Sequence, residues 1–135
     1  MESPIPSISI LVVEDEVITL EYLVTTLSKK FPGVGLHKAL NGRTGLELFK
    51  THTPGIVITD INMPEMGGVQ MAVNIHAMKP DTRFIILTGN SEKQALQGSS
   101  DKVIEFDHYI VKPIIFQELF AAIEKCIGEV EQNKP

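Results

Sequence analysis

A chain of 135 residues, 43% hydrophobic and 21% charged, is long enough for one hydrophobic core and too ordinary in composition for a disordered or fibrous protein. Its formal net charge of -5 argues against a broad surface for nucleic acid or acidic lipid, because such partners are attracted by clustered Lys and Arg. The single cysteine, Cys126, excludes an internal disulfide and a thiolate metal site; with no basic, apolar leader and no apolar run of about 18 residues, a cytoplasmic protein without membrane or direct nucleic-acid partners is expected.

The first apolar run, residues 8–13 (ISILVV), is strand-length and rich in Ile and Val, and it runs out into Glu14, Asp15 and Glu16. In residues 16–31 (EVITLEYLVTTLSKKF), Leu20, Leu23, Val24 and Leu27 recur at three- and four-residue steps, which predicts a helix with Gly33 as its stop. A second strand is expected over residues 34–39 (VGLHKA). A shorter helix follows over 41–52 (NGRTGLELFKTH), where Leu46 and Phe49 share a face and Pro54 ends the segment. That segment has glycines but lacks the Lys and Ser/Thr of a P-loop.

The third strand, residues 56–59 (IVIT), stops on Asp60, and the polar stretch after it leads into residues 68–79 (GVQMAVNIHAMK), where Met71, Ile75 and Met78 form one stripe. The fourth strand, 84–87 (FIIL), ends on Thr88. Residues 91–106 (SEKQALQGSSDKVIEF) are interrupted by Gly98, Ser99 and Ser100, so a short or irregular fourth helix is expected there. The fifth strand, 109–111 (YIV), leads to Lys112 and Pro113. Residues 114–130 (IIFQELFAAIEKCIGEV) carry Phe116, Leu119, Phe120, Ile123 and Ile127 on one stripe of a fifth helix. One domain over residues 1–130 is expected, with residues 131–135 as a polar tail or the start of a linker.

Strand followed by helix, five times over, predicts an α/β fold with a mostly parallel sheet and helices on both faces. In such sheets ligands bind beyond the carboxyl ends of the strands, where strand order switches. Those ends carry Glu14, Asp15, Glu16, Asp60, Thr88 and Lys112. Each has a plainer reading: a helix cap or first-turn charge for the acids, a turn residue for Asp60, a strand-end hydroxyl for Thr88, a solvated lysine for Lys112. Their coincidence on one edge points instead to phosphoryl transfer onto a carboxylate. Clustered carboxylates repel one another and call for a divalent cation such as Mg2+. A carboxylate can act as nucleophile and form an acyl phosphate, whose oxygens an ammonium and a hydroxyl can stabilise.

The stretches VVEDE, VITDINMPEMGG, IILTG and HYIVKP, in this order and spread over nearly the whole chain, resemble the receiver domain of bacterial two-component response regulators. The resemblance implies a flavodoxin-like doubly wound sheet of order 2-1-3-4-5. It implies that Asp60 takes a phosphoryl group from a histidine kinase or a histidine phosphotransfer protein, with Mg2+ as cofactor. Glu14 and Asp15 match the metal-binding acids, and the backbone carbonyl of Asn62 the further ligand. Thr88 matches the switch hydroxyl, Lys112 the family's lysine, Tyr109 the switch aromatic, and Pro113 the proline whose peptide bond with Lys112 is cis in many receivers. Tyr109 also reads simply as a core aromatic. Two departures stand out: the acid pair is Glu-Asp where many members carry two aspartates, and SSDKVIEFDHY replaces the usual small-residue turn after the fourth strand.

The implied output is a change in the surface of the fourth helix, fifth strand and fifth helix, read by a downstream protein or a fused output domain. Ile114, Ile115 and Phe116 add the possibility of a homodimer through that surface. No separate substrate would be turned over. The chain would be a stand-alone receiver or the amino-terminal receiver of a longer regulator or hybrid kinase. An aspartyl-phosphate phosphatase is the enzymatic alternative, but such enzymes usually place a second Asp where this chain has Asn62. A phosphate-independent interaction module is the other alternative. The histidines 37, 52, 76 and 108 are scattered, with no i, i+4 ligand spacing, and read as surface or core residues.

Overall fold

Alternation along each strand decides which side of the sheet a residue faces. In the computed structural model, which describes residues 8–63, 65–89 and 106–132, five strands, β1 (Ser9–Val13), β2 (Gly35–Ala39), β3 (Ile56–Asp60), β4 (Arg83–Thr88) and β5 (His108–Val111), pair in parallel in the order β2-β1-β3-β4-β5. Ile10, Val12, Ile56, Ile58, Ile85 and Leu87 point to one side, where they pack against Leu20, Leu23 and Leu27 of helix α1 (Val17–Lys30) and Leu119, Ile123 and Cys126 of the last helix, α4 (Phe116–Gln132). Leu11, Val13, Val57, Phe84 and Ile86 point to the other, against Phe49 of α2 (Gly42–His52) and Met71, Ala72 and Ile75 of α3 (Gly68–Met78). Both faces are thus covered, which is why the inner strands read as unbroken apolar runs. This is the flavodoxin-like doubly wound architecture expected from the sequence.

The register extends two strands by one functional residue. Asp60 pairs with Leu87 and Thr88 with Val111. Both had been expected just beyond their strands; ladder pairing of their backbones is what carries the strands onto them. Met78 is a correction: expected on the apolar stripe of its helix, it is 46% exposed, because it is the last residue of α3 and the buried stripe ends at Ile75. The α4 helix runs through Glu131 and Gln132. The fourth helix expected within residues 91–106 lies outside the described residues, apart from Phe106.

Local chemistry sets the start of one helix. Asn41 caps α2, its Oδ1 accepting the Thr44 N–H at 2.8 Å. At the amino end of β4 the Arg83 guanidinium lies 3.4 Å from Asp107, at the entry to β5, and 3.7 Å from Glu129, near the end of α4. Asp107 also accepts the Phe84 N–H at 2.7 Å. No helix among the described residues is long and apolar enough to cross a membrane.

Candidate functional site

The strand order reverses between β1 and β3, and the groups singled out in the sequence meet beyond the carboxyl ends of those strands. Glu14 follows β1 directly, and its N–H donates to the Ala39 carbonyl at 3.1 Å, tying together the ends of β1 and β2. Its side chain turns inward: the residue is only 2% exposed, and Oε2 accepts the Glu16 N–H at 3.1 Å. Asp60, on β3, has Oδ1 engaged by the Ile61 N–H at 2.8 Å, while Oδ2 lies 3.2 Å from the Lys112 ammonium. Lys112 is placed by β5, its own N–H donating to the Thr88 carbonyl at 2.8 Å, and the Lys112–Pro113 peptide is cis. One carboxylate oxygen from each of Glu14, Asp15 and Asp60 lies within 4.8 Å of the others.

Three carboxylates face one ammonium. Burial raises the Glu14 carboxyl above its ordinary value; the Glu16 N–H and Lys112 pull it down, and Asp60 and Asp15 push it up again. Burial would lower Lys112, but Asp60, Glu14 and Asp15 outweigh it and the ammonium is held above its usual range. Glu14 Oε1 is buried without a hydrogen-bond partner, with Lys112 Nζ 3.7 Å away. A buried, unsatisfied carboxylate oxygen beside two further acids is the donor set of a hard divalent cation, so these residues fit Mg2+.

A close backbone approach supports Asp60. An added Cβ on Gly68, the first residue of α3, would sit 2.2 Å from the Asp60 carbonyl oxygen, and the Gly68 N–H donates to Ile61 at 2.7 Å. The Thr59 hydroxyl donates to the same Asp60 carbonyl at 2.8 Å. The loop between is also held from α2: the Gly42 N–H donates to the Met66 carbonyl at 3.1 Å, and a Cβ there would meet that oxygen at 2.2 Å. Sequence reasoning missed these supports. The paired glycines of "EMGG" were the available signal, read only as an entry into the helix.

Thr88 is fully buried and its hydroxyl donates to the Gly89 carbonyl at 3.2 Å. Tyr109 is half-buried on β5 and packs edge to face on Phe106, centroids 6.0 Å apart, in line with Phe84. Its present position is therefore that of a packed aromatic. Asn62 is exposed in the loop two residues past Asp60. Away from the site, the structure brings together two histidines that the sequence keeps apart: His37 and His52 stack at 4.0 Å, and His37 is lowered by burial and then by His52.

A family model for the response regulator receiver domain matches residues 10–124. The chain is 31% identical over 125 residues to an uncharacterized transcriptional regulatory protein, YesN, of Bacillus subtilis, covering 92% of this chain and 33% of that protein. It is 31% identical over 118 residues to the regulatory protein AtoC of Escherichia coli, covering 87% of this chain and 25% of that protein. The chain thus spans a third or less of the length of these two relatives. The crystal structure of the response regulator protein TrrA from Thermotoga maritima, in complex with Mg2+-BeF, matches with a TM-score of 0.76 at 32% identity, over 88% of this chain and 98% of that one. Sheet order, strand-end acids and these matches agree: the chain belongs to the receiver domain family of two-component response regulators.

Proposed function

We propose that Asp60 accepts a phosphoryl group from a histidine kinase or histidine phosphotransfer protein in a Mg2+-dependent reaction, and that the gained charge is read at the surface of β5, α4 and the fourth helix expected within residues 91–106, which lies outside the described residues apart from Phe106. The observation that carries this reading is the convergence of Glu14, Asp15 and Asp60 within 4.8 Å, with Lys112 3.2 Å from the Asp60 carboxylate. The match to a receiver crystallised with Mg2+-BeF supports it.

Glu14, Asp15 and Asp60, with the Asn62 backbone carbonyl, would hold Mg2+, which supplies charge neutralisation for the acids and for the transferring group. The remaining work falls to the chain itself. The Ile61 N–H orients the Asp60 carboxylate for attack on phosphorus. Lys112, already paired with Oδ2, is placed to keep a phosphoryl oxygen as its partner once the acyl phosphate forms. The added group carries close to two negative charges. The Thr88 hydroxyl would leave the Gly89 carbonyl and donate to it, and Tyr109 would turn into the space released.

A downstream protein or a fused output domain would read the altered surface, and a homodimer through it is the associated expectation. Asn62 stands where a phosphatase of related chemistry would carry its general acid, so turnover of a separate substrate is not part of the reading. Intact mass after incubation with acetyl phosphate tests it. One phosphoryl group should appear with Mg2+, and none in Asp60→Asn. Stoichiometric phosphorylation of that variant would assign the nucleophile elsewhere.

A further inference from the structure

Among the described residues, the large apolar side chains left exposed gather around α1. Val17, Ile18 and Tyr22 belong to the helix itself. Leu40 shares a hollow with Val17, and exposed Ile115 precedes Phe116, whose ring meets Tyr22 edge to face at 5.5 Å. Ile18 and Tyr22 are 81% and 63% exposed, on a stripe other than the buried one of Leu20, Leu23 and Leu27. The core of one copy therefore gives no reason for them. They stand as a ridge with a hollow of about 360 Å3 on the Phe116 side and one of about 310 Å3 on the Leu40 side.

The charges along this ridge are ordered. Asp15 and Glu16, both exposed, stand at its amino end, and Lys29 and Lys30 close the last turn. Glu14, Asp15, Glu16 and Asp60 outnumber the one Lys112 ammonium beside them, so the amino end keeps its negative excess. Ile18, Tyr22, Thr25 and Lys29 follow one another at three- and four-residue steps, all exposed, and so share the outward face. Such a helix is complementary to itself turned end for end. We propose that the outward face of α1 is a self-association surface, on which a second copy of this chain docks antiparallel about a two-fold axis near Tyr22.

The spacing fits that axis. Lys29 lies as far beyond Tyr22 as Asp15 lies before it, about 10 Å along the helix in each direction, so Lys29 of one copy falls opposite Asp15 and Glu16 of the other, twice by symmetry. The ridges of Ile18 and Tyr22 meet between these ion pairs and enter the flanking hollows. A parallel pair would set acid against acid and lysine against lysine. One helix face with its flanks belongs to the small class of interfaces, so the dimer is weak and reversible. It uses a different surface from that of β5 and α4, and it lays a second copy over the α1 side of the acidic cluster.

Sedimentation velocity between about 10 μM and 1 mM, at low ionic strength, tests the proposal. Wild type should pass from monomer toward dimer over that range. Ile18→Gln, at a position that buries nothing within one copy, should weaken the dimer about tenfold, because the loss counts twice across the axis. Lys29→Glu should weaken it about threefold or more, and the swapped chain Glu16→Lys/Lys29→Glu should regain most of that loss. Circular dichroism checks that each variant keeps its fold. A wild type that stays monomeric up to about 1 mM overturns the proposal and leaves this face to a different protein. A dimer indifferent to Ile18→Gln lies on another surface, and one that Lys29→Glu leaves intact, or that the swapped chain fails to regain, is not the antiparallel pair; each of these results overturns it as well.

Discussion

Replacing Gly68 with alanine sets two effects against each other. Alanine near the start of a helix would ordinarily be favourable by up to about 1 kcal/mol, through helix propensity and a less free unfolded chain. Here the new Cβ would sit 2.2 Å from the Asp60 carbonyl oxygen and 3.2 Å from both the Asp60 carbonyl carbon and Ile61 Cα. An ordinary contact needs roughly 1 Å more, and every atom met is backbone, so no rotamer change relieves the overlap. Overpacking of this kind costs about 1–3 kcal/mol, and retreat of α3 also weakens the 2.7 Å bond from the Gly68 N–H to Ile61, worth about 1 kcal/mol. Net destabilisation of about 2–3 kcal/mol is expected. Urea unfolding of Gly68→Ala followed by circular dichroism measures it. Gly128→Ala is the control: nothing lies within 4 Å of a Cβ there, inside α4, and that variant should equal or exceed wild type. A Gly68→Ala protein as stable as wild type would refute the account of how Asp60 is held.

Removing the ammonium in Lys112→Met leaves Glu14 and Asp60 facing each other without it, and without divalent cation the chain should lose about 1–2 kcal/mol, less than for a deeply buried pair because the lysine is 37% exposed. Denaturant unfolding with and without Mg2+ checks this; a variant as stable as wild type in the absence of cation would count against a strained acidic cluster. Mg2+ at ten times its dissociation constant should stabilise wild type by about 1.4 kcal/mol, an effect removed by chelator and strongly reduced in Asp15→Asn, as read by thermal melting. Cys126 sets an alkaline dependence: burial first, then Asp107 and Glu129, push its thiol up to about 12 from an ordinary 9.0. Above pH 9 the unfolded chain loses a proton that the folded chain retains, so stability falls as pH rises, by about 1.4 kcal/mol per unit, and levels off near the folded value. The advantage of wild type over Cys126→Ala should therefore shrink between pH 9 and pH 10.5; a constant difference in unfolding free energy would show that the thiol ionises freely in the fold.

The sheet was legible because burial on both faces leaves a plain signature: Ile56, Val57 and Ile58 are each fully buried, and no polar residue interrupts them. The acids and the lysine were legible for a related reason, since each ends such a run and the fold class brings those ends together. The exact strand ends were not. Asp60 and Thr88 belong to β3 and β4 because their backbones find partners in the ladder, and that partnership depends on neighbours far away in sequence. The supports were hidden in the same way. Gly42 and Gly68 matter through what stands opposite them, Met66 and Asp60, and a one-dimensional pattern carries only the absence of a side chain. The partnership of Tyr22 with Phe116 joins positions 94 apart along the chain, beyond any periodicity within one helix.

The Arg83 cluster sits at the end of the sheet opposite the acidic site. By gripping Asp107 ahead of β5 and Glu129 near the end of α4, it clamps the strand and its following helix where they lie farthest from Lys112. A strand and helix held at one end behave as a lever. A displacement at Lys112 would then be greatest at the acidic end and fade toward the clamp, and under the proposed phosphoacceptor reading the Arg83 grip would set the stiffness against which a charge gained at Asp60 works.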